Sequence, residues 1–203
     1  MIRFRAFSLS PSIAAATLGL VLLAPPSAAR ADDTIKHPGD HPKYSVEVEP
    51  HILFGWDNGF YGSNGFGAGA RVSIPIVENG FVPTINNSVA ITFGGDLVHY
   101  SARCGVGNKF DGYDCSANYI LLPVALQWNF FVAQKWSVFG EPGLYIYHGF
   151  FDACDVGGVA CYSPTATGIR PAFYAGGRYH FNEHIALTMR IGYPTFSVGV
   201  SFM

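Results

Sequence analysis

Thr195-Phe196-Ser197-Val198-Gly199-Val200-Ser201-Phe202 is the stretch whose reading decides the fold. In an extended chain, successive side chains point to opposite faces. Phe196, Val198, Val200 and Phe202 therefore make one wholly apolar row, and Ser197, Gly199 and Ser201 make a small, polar one. Such a pairing suits a strand with hydrocarbon on one side and a narrow polar bore on the other. An ordinary soluble edge strand is the alternative for this stretch taken alone. Only Met203 follows it. In a membrane the free edge must then pair with an earlier strand, because unpaired backbone groups in hydrocarbon cost roughly several kcal/mol each. Pairing with the first strand closes a barrel.

The same alternation recurs seven times upstream, over Tyr44–Trp56, Gly65–Ile76, Asn87–His99, Tyr119–Phe130, Trp136–His148, Arg170–Phe181 and Ile185–Tyr193. Pro50 interrupts the first of these, and a bulge is expected there because proline donates no ladder hydrogen bond. Connections after the first, third and fifth segments are longer than those after the second, fourth and sixth; the seventh, at Pro194, is very short. Eight segments is an even number, as single-chain bacterial barrels require. The predicted fold class is all-β: an eight-stranded antiparallel up-and-down transmembrane barrel with a filled polar interior.

The outward rows hold no charged residue. Every strand-borne charge falls on the other face: Glu47, Glu49, Asp96 and Glu141 against Arg71, Arg170, Arg178 and Arg190. A soluble eight-stranded barrel needs the reverse, an apolar interior under a charged exterior. Buried charges persist when paired and hydrogen-bonded, so these eight are expected to form an interior ion-pair network that plugs the bore. A catalytic or proton-relay cluster is the rival reading, and a filled bore that admits no substrate argues against it. Outward aromatics collect at segment ends. Trp56, Phe66, Tyr193 and Phe196 mark one rim; Trp128, Phe130, Trp136, Tyr179, Phe181 and Phe202 mark the other. Amphipathic rings prefer the headgroup level.

The beginning of the chain supplies an address. Arg3 and Arg5 precede an apolar run from Ile13 to Ala24, and Ala29-Arg30-Ala31 stands before Asp32-Asp33. That pattern reads as a cleaved secretory signal peptide over 1–31, with an apolar run too short to span a bilayer as a helix. Residues 32–43 read as a short periplasmic lead whose His37 and His41 are solvated rather than metal-binding, and 44–203 as the barrel. Without Arg3, Arg5 and Arg30, nine basic residues face fourteen acidic ones, a net charge of about −5. No basic cluster points to nucleic acid. Charged residues make up 13% of the chain, about half the share of a soluble domain. Four cysteines in an exported chain favour disulfides. Of three possible pairings, Cys104–Cys115 and Cys154–Cys161 are expected, because each pair falls within one loop. Zinc is disfavoured by the absence of C-x₂-C spacing and of histidines close by.

With the signal peptide, the eight alternating segments and the closing aromatic strand in view, residues 44–203 resemble the small outer-membrane β-barrel superfamily, the OmpA/OmpX-like transmembrane barrels. A terminal strand ending in an aromatic is also similar to the recognition signal of such barrels, although here the aromatic is penultimate. The resemblance implies a bacterial outer-membrane location and a monomer. It also implies contact with outer-membrane lipids and lipopolysaccharide, and transient engagement of the barrel-assembly machinery. The expected role is non-enzymatic, with no cofactor: an envelope-structural or surface-interaction function through disulfide-tied outer loops. The alternative is a lipid-modifying enzyme of the lipid A deacylase or acyltransferase type, with His99, Ser101 and His148 near the outer rim, though without an H-x-S-N signature. A small pore is the third reading, and the eight inward charges oppose it.

Overall fold

The computed structural model describes residues 33–56, 64–104, 113–152 and 165–203, without the side chains of 33, 102–104, 113–115 and 152. The signal-peptide segment and Cys154 and Cys161 lie outside the described residues.

Eight strands follow one another around a closed antiparallel barrel: β1 (Glu47–Gly55), β2 (Gly65–Val77), β3 (Asn87–Cys104), β4 (Tyr113–Ala133), β5 (Trp136–Asp152), β6 (Thr165–His180), β7 (Ile185–Tyr193) and β8 (Thr195–Phe202). The seam forms between β1 and β8, with Val48 opposite Phe202, Ile52 opposite Val198 and Phe54 opposite Phe196. Each strand thereby has a partner on both sides, which removes the free edge that the terminal strand would otherwise present.

Alternation survives along almost every strand. In β1 the even-numbered residues from Val48 to Phe54 are exposed, and the odd-numbered ones from Glu47 to Gly55 are buried. The outer surface is correspondingly greasy: Leu97 is 63% exposed, Ile169 65% and Phe173 63%. Apolar exposure of this extent, wrapped around a charged interior, inverts the arrangement of a soluble barrel. Rings pack edge to face along one rim, as Trp136 with Tyr179 (5.0 Å) and Tyr179 with Phe181 (5.3 Å). At the other rim, Phe54 meets Phe66 at 5.3 Å.

The structure corrects several expectations. Pro50 carries no bulge and pairs with Ala70 in unbroken register; the β2–β3 register shifts instead between Pro75 and Val77. Strands β3 to β6 run well beyond the sequence-based boundaries, so that much of what read as loop is ladder. A strand needs about 9–11 residues to cross a bilayer; β4 has 21 and β3 has 18. One wall of the barrel therefore stands taller than the wall of β7 and β8. Val89, which alternation with the inward Asp96 places on the outer face, is fully buried. The turn 78–86 folds up beside it, tied by the Asn87 amide to the carbonyls of Val82 and Ile85, both at 2.8 Å. Gly80 supplies the left-handed backbone this turn requires, with φ of 53°.

Residues 33–46 are not a solvated tail. After a short 3₁₀ turn at Asp33–Lys36, the lead lies across the end of the barrel where β1 begins, here called the near end. The backbone N–H of Asn86 donates to Ile35 (2.7 Å), and its side-chain amide donates to the Asp40 carbonyl (2.6 Å). The His41 ring stacks on Phe131 at 4.5 Å and an 8° tilt, with Nε2 3.0 Å from the Glu78 carbonyl. Phe131 is an inward, buried residue, so the lead caps the bore.

Candidate functional site

The near half of the bore is an ion-pair lattice. Arg190 on β7 reaches across to β1, where Nη1 and Nη2 donate to the two Glu49 oxygens at 2.7 and 3.0 Å. Its Nε donates to Glu141 Oε2 at 2.8 Å, so one guanidinium holds two carboxylates from opposite sides. Gln127 donates to Glu141 Oε1 at 2.5 Å. Arg178 sits 2.8 Å from Glu47 and donates to Asn129 (2.8 Å) and Gln127 (3.1 Å). Arg71 pairs with Asp96 at 2.7 Å, and His51 Nε2 lies 3.0 Å from the other Asp96 oxygen. All these groups are buried. Gly69 leaves room for this: a Cβ there would lie 2.6 Å from the Gly95 carbonyl and 2.9 Å from His51 Nε2. At the entrance, the Tyr44 hydroxyl donates to Glu47 at 3.3 Å; burial and the nearby Glu47 charge push this phenol well above its ordinary pKa.

Seven of the eight residues expected in the network thus come together. Arg170 does not. It is exposed at the far end, with its guanidinium 5.5 Å over the Tyr147 ring. Its side of the bore holds tyrosines rather than carboxylates. His51, which the sequence places inward without a role, takes up the position beside Asp96.

The far half of the bore is apolar and aromatic, which the expectation of a polar interior missed. Leu53, Val98, Tyr100, Ala117, Tyr119, Leu121, Tyr145, Ala172 and Tyr174 form one buried cluster. Tyr100 and Tyr119 meet edge to face at 5.6 Å, and Arg71 lies 5.4 Å above Tyr174 where the two halves join. Beyond this layer the bore opens as a cup of about 200 Å³, with Tyr145, Tyr147, Tyr193 and Arg170 in its wall. The signal was present: Tyr119 to Leu126 is apolar on both faces except for Pro123's interruption, the mark of a strand buried on both sides.

A third feature lies on the outside of the far rim. His99 on β3 is opposite Asn118 on β4. Its Nδ1 is 2.8 Å from Asn118 Oδ1, and its Nε2 is 3.0 Å from Ser101 Oγ. His148, two strands along, meets Thr167 Oγ1 at 2.5 Å. Cys104 and Cys115 belong to the ends of β3 and β4, where Cys104 is opposite Tyr113 and Cys115 is opposite Ala102.

No protein-family model matches the chain, and no curated protein matches it. Solved structures do. The crystal structure of Neisserial surface protein A aligns with a TM-score of 0.53 at 13% identity, covering 78% of this chain and 97% of that one. A crystal structure of Ail, the attachment invasion locus protein of Yersinia pestis, in complex with the heparin analogue sucrose octasulfate, aligns with a TM-score of 0.49 at 12% identity, covering 78% and 95%. At 13% identity the likeness to the Neisserial protein is one of fold: a small closed eight-stranded barrel.

Proposed function

We propose that the chain is an integral barrel of the bacterial outer membrane, exported by a cleaved signal peptide over 1–31, with its bore closed to solutes. One observation carries this reading: the charges are buried and paired inside while the exposed belt is apolar. Hydrocarbon solvates that belt; water does not. The near end, with its capping lead, faces the periplasm, and the taller wall of β3 to β6 projects outward. The same fold in a protein named for the surface of Neisseria accords with this placement.

In this reading the barrel is an envelope-structural and surface-presenting monomer. Its contacts are with outer-membrane lipids and lipopolysaccharide and, during insertion, with the barrel-assembly machinery. Its outer loops are tied by Cys104–Cys115 and Cys154–Cys161. Cys104 and Cys115 lie on the two strands of one hairpin, diagonally across the ladder rather than directly opposite. Non-reducing peptide mapping is expected to recover a Cys104–Cys115 peptide; Cys104 joined to Cys154 or Cys161 would overturn the loop assignment.

A pore is disfavoured by the lattice and by the lead stacked on Phe131. Fractionation with and without boiling tests the reading as a whole. The folded chain is expected in the outer-membrane fraction, with electrophoretic migration that changes on heating. In planar bilayers it is expected to show no discrete conductance. Recovery as a soluble periplasmic protein would refute the assignment. The enzymatic alternative draws on a separate observation, the hydrogen bonds of His99.

A further inference from the structure

We infer that His99, Ser101 and Asn118 form a nucleophilic relay on the outer face of the barrel that hydrolyses long-chain acyl esters of membrane lipids. The inference rests on the membrane placement proposed above and adds an activity to it.

The arrangement follows from strand geometry. His99-Tyr100-Ser101 places histidine and serine on one face of β3, because residues two apart share a face. The antiparallel register sets Asn118 directly across from His99, and facing side chains on paired strands are about 4.5–5.5 Å apart at Cβ. Tyr100, between them, turns into the bore and is buried, which locks the strand's facing. Both ring nitrogens of His99 are then engaged, at 2.8 Å to Asn118 Oδ1 and 3.0 Å to Ser101 Oγ. An amide oxygen only accepts. Nδ1 therefore carries the hydrogen, and Nε2 presents its lone pair to the serine hydroxyl. That is the tautomer a general base requires, with nucleophile, base and orienting group in sequence. A neutral amide as the third member is a known variant of the triad.

His148 shows what a plain rim pair looks like. It bonds Thr167 across the ladder, and the residue two along its own strand is Phe150, whose ring packs on it at 4.5 Å. Neither residue two along its strand, Ile146 or Phe150, is a nucleophile, so a polar rim alone does not account for the second bond of His99.

The surface beneath the relay identifies the substrate class. A groove of about 440 Å³ runs along the outer face, with Phe66, Ala68, Leu97, Ile120 and Phe150 in its walls and His99 and Asn118 at its far end. The groove is continuous with the apolar belt, so in a bilayer it takes an acyl chain. An ester carbonyl at the head of that chain comes to the level of Ser101, among the polar groups of the rim. In the step itself, Ser101 Oγ attacks the carbonyl carbon while its proton passes to Nε2 of His99. The carbon–oxygen bond to the lipid breaks, and the departing alkoxide takes that proton. Water then attacks the acyl-serine with His99 again as base, releasing a fatty acid and restoring the serine.

The test uses the full mature chain refolded into vesicles of two compositions: a diacyl phosphatidylglycerol, and the same lipid in diether form carrying an acylated glucosamine disaccharide. Mass spectrometry reads released fatty acid. The expected result is release from at least one composition, and which one identifies the source of the ester. Ser101→Ala and His99→Gln are each expected to lower the rate by about 10²-fold or more. A fluorophosphonate is expected to label Ser101 in the parent and in Asn118→Asp, but not in His99→Gln. Asn118→Asp is expected to retain activity, because a carboxylate also accepts from Nδ1, whereas Asn118→Leu is expected to lose it. Heat-modifiable migration is measured on every sample. A folded parent that releases no fatty acid and takes no label overturns the relay and leaves the barrel reading intact. A parent that never acquires a heat-sensitive band in vesicles overturns both.

Discussion

The two halves of the bore solve one packing problem with opposite chemistry. Eight strands enclose a space that side chains must fill. In the near half it is filled by Arg178 and Arg190 against Glu47, Glu49 and Glu141, and in the far half by Tyr100, Tyr119, Tyr145 and Tyr174. The difference teaches where specificity resides. Tyrosine rings fill volume and tolerate substitution by other rings. The lattice is tightly shared, because Arg178 and Arg190 each hold residues of two other strands. Arg190 alone joins β7, β1 and β5, strands far apart in sequence, so the lattice helps to fix which strand closes on which.

The sharpest way to break this comparison is to remove Arg190. Arg190→Ala strands Glu49 and Glu141 in the interior without a cation, and breaking a buried pair in this way costs about 3–5 kcal/mol. Urea titration of the heat-sensitive band is expected to show that loss; an unchanged midpoint would mean that the lattice merely fills space. Adding an arginine on the other side of the wall is the next largest change. Val198 faces outward between Ile52 and Met189, and Val198→Arg at that depth is expected to cost roughly 2–4 kcal/mol, seen as poor insertion into vesicles.

In the far half the expected sign reverses. The Tyr100 hydroxyl is buried with no hydrogen-bond partner among the described residues, and a buried unpaired hydroxyl is a cost rather than a gain. Tyr100→Phe is expected to leave stability unchanged or raise it by up to about 1 kcal/mol. Arg170 sharpens the contrast with Arg190 at the small end. It is exposed at the cup, and Arg170→Ala is expected to change the unfolding free energy by less than about 0.5 kcal/mol.

Much of this was legible in the sequence, for a physical reason. A strand that separates hydrocarbon from a polar bore must alternate, and Thr195–Phe202 or Ile185–Tyr193 cannot do so by accident over their whole length; both strands have these bounds in the structure. The lattice was legible as a set because charge has nowhere else to go. What escaped the reading lay where alternation stops carrying information. Tyr119 to Leu126 is apolar on both faces, so periodicity could not say that its inner face builds an aromatic layer. The extensions of β3 to β6 carry polar residues on the outer face, as loops do, and read as loops. Arg170 obeyed the alternation but sat above the lattice, and height along a strand is not a property of the pattern. The relay at His99 was legible as an i, i+2 pair; its third member was not, because the facing of Asn118 depends on the register between two strands.

The central claim is that the apolar belt meets acyl chains. It is tested most directly by placing a single tryptophan at Ile191 in a chain with Trp56, Trp128 and Trp136 changed to phenylalanine, refolded into vesicles with bromine deep in the acyl chains. Ile191 is 57% exposed on the outer face. Strong quenching by the deep bromines, with none by aqueous iodide, is the predicted result. Quenching by iodide and not by the brominated lipid would contradict the account.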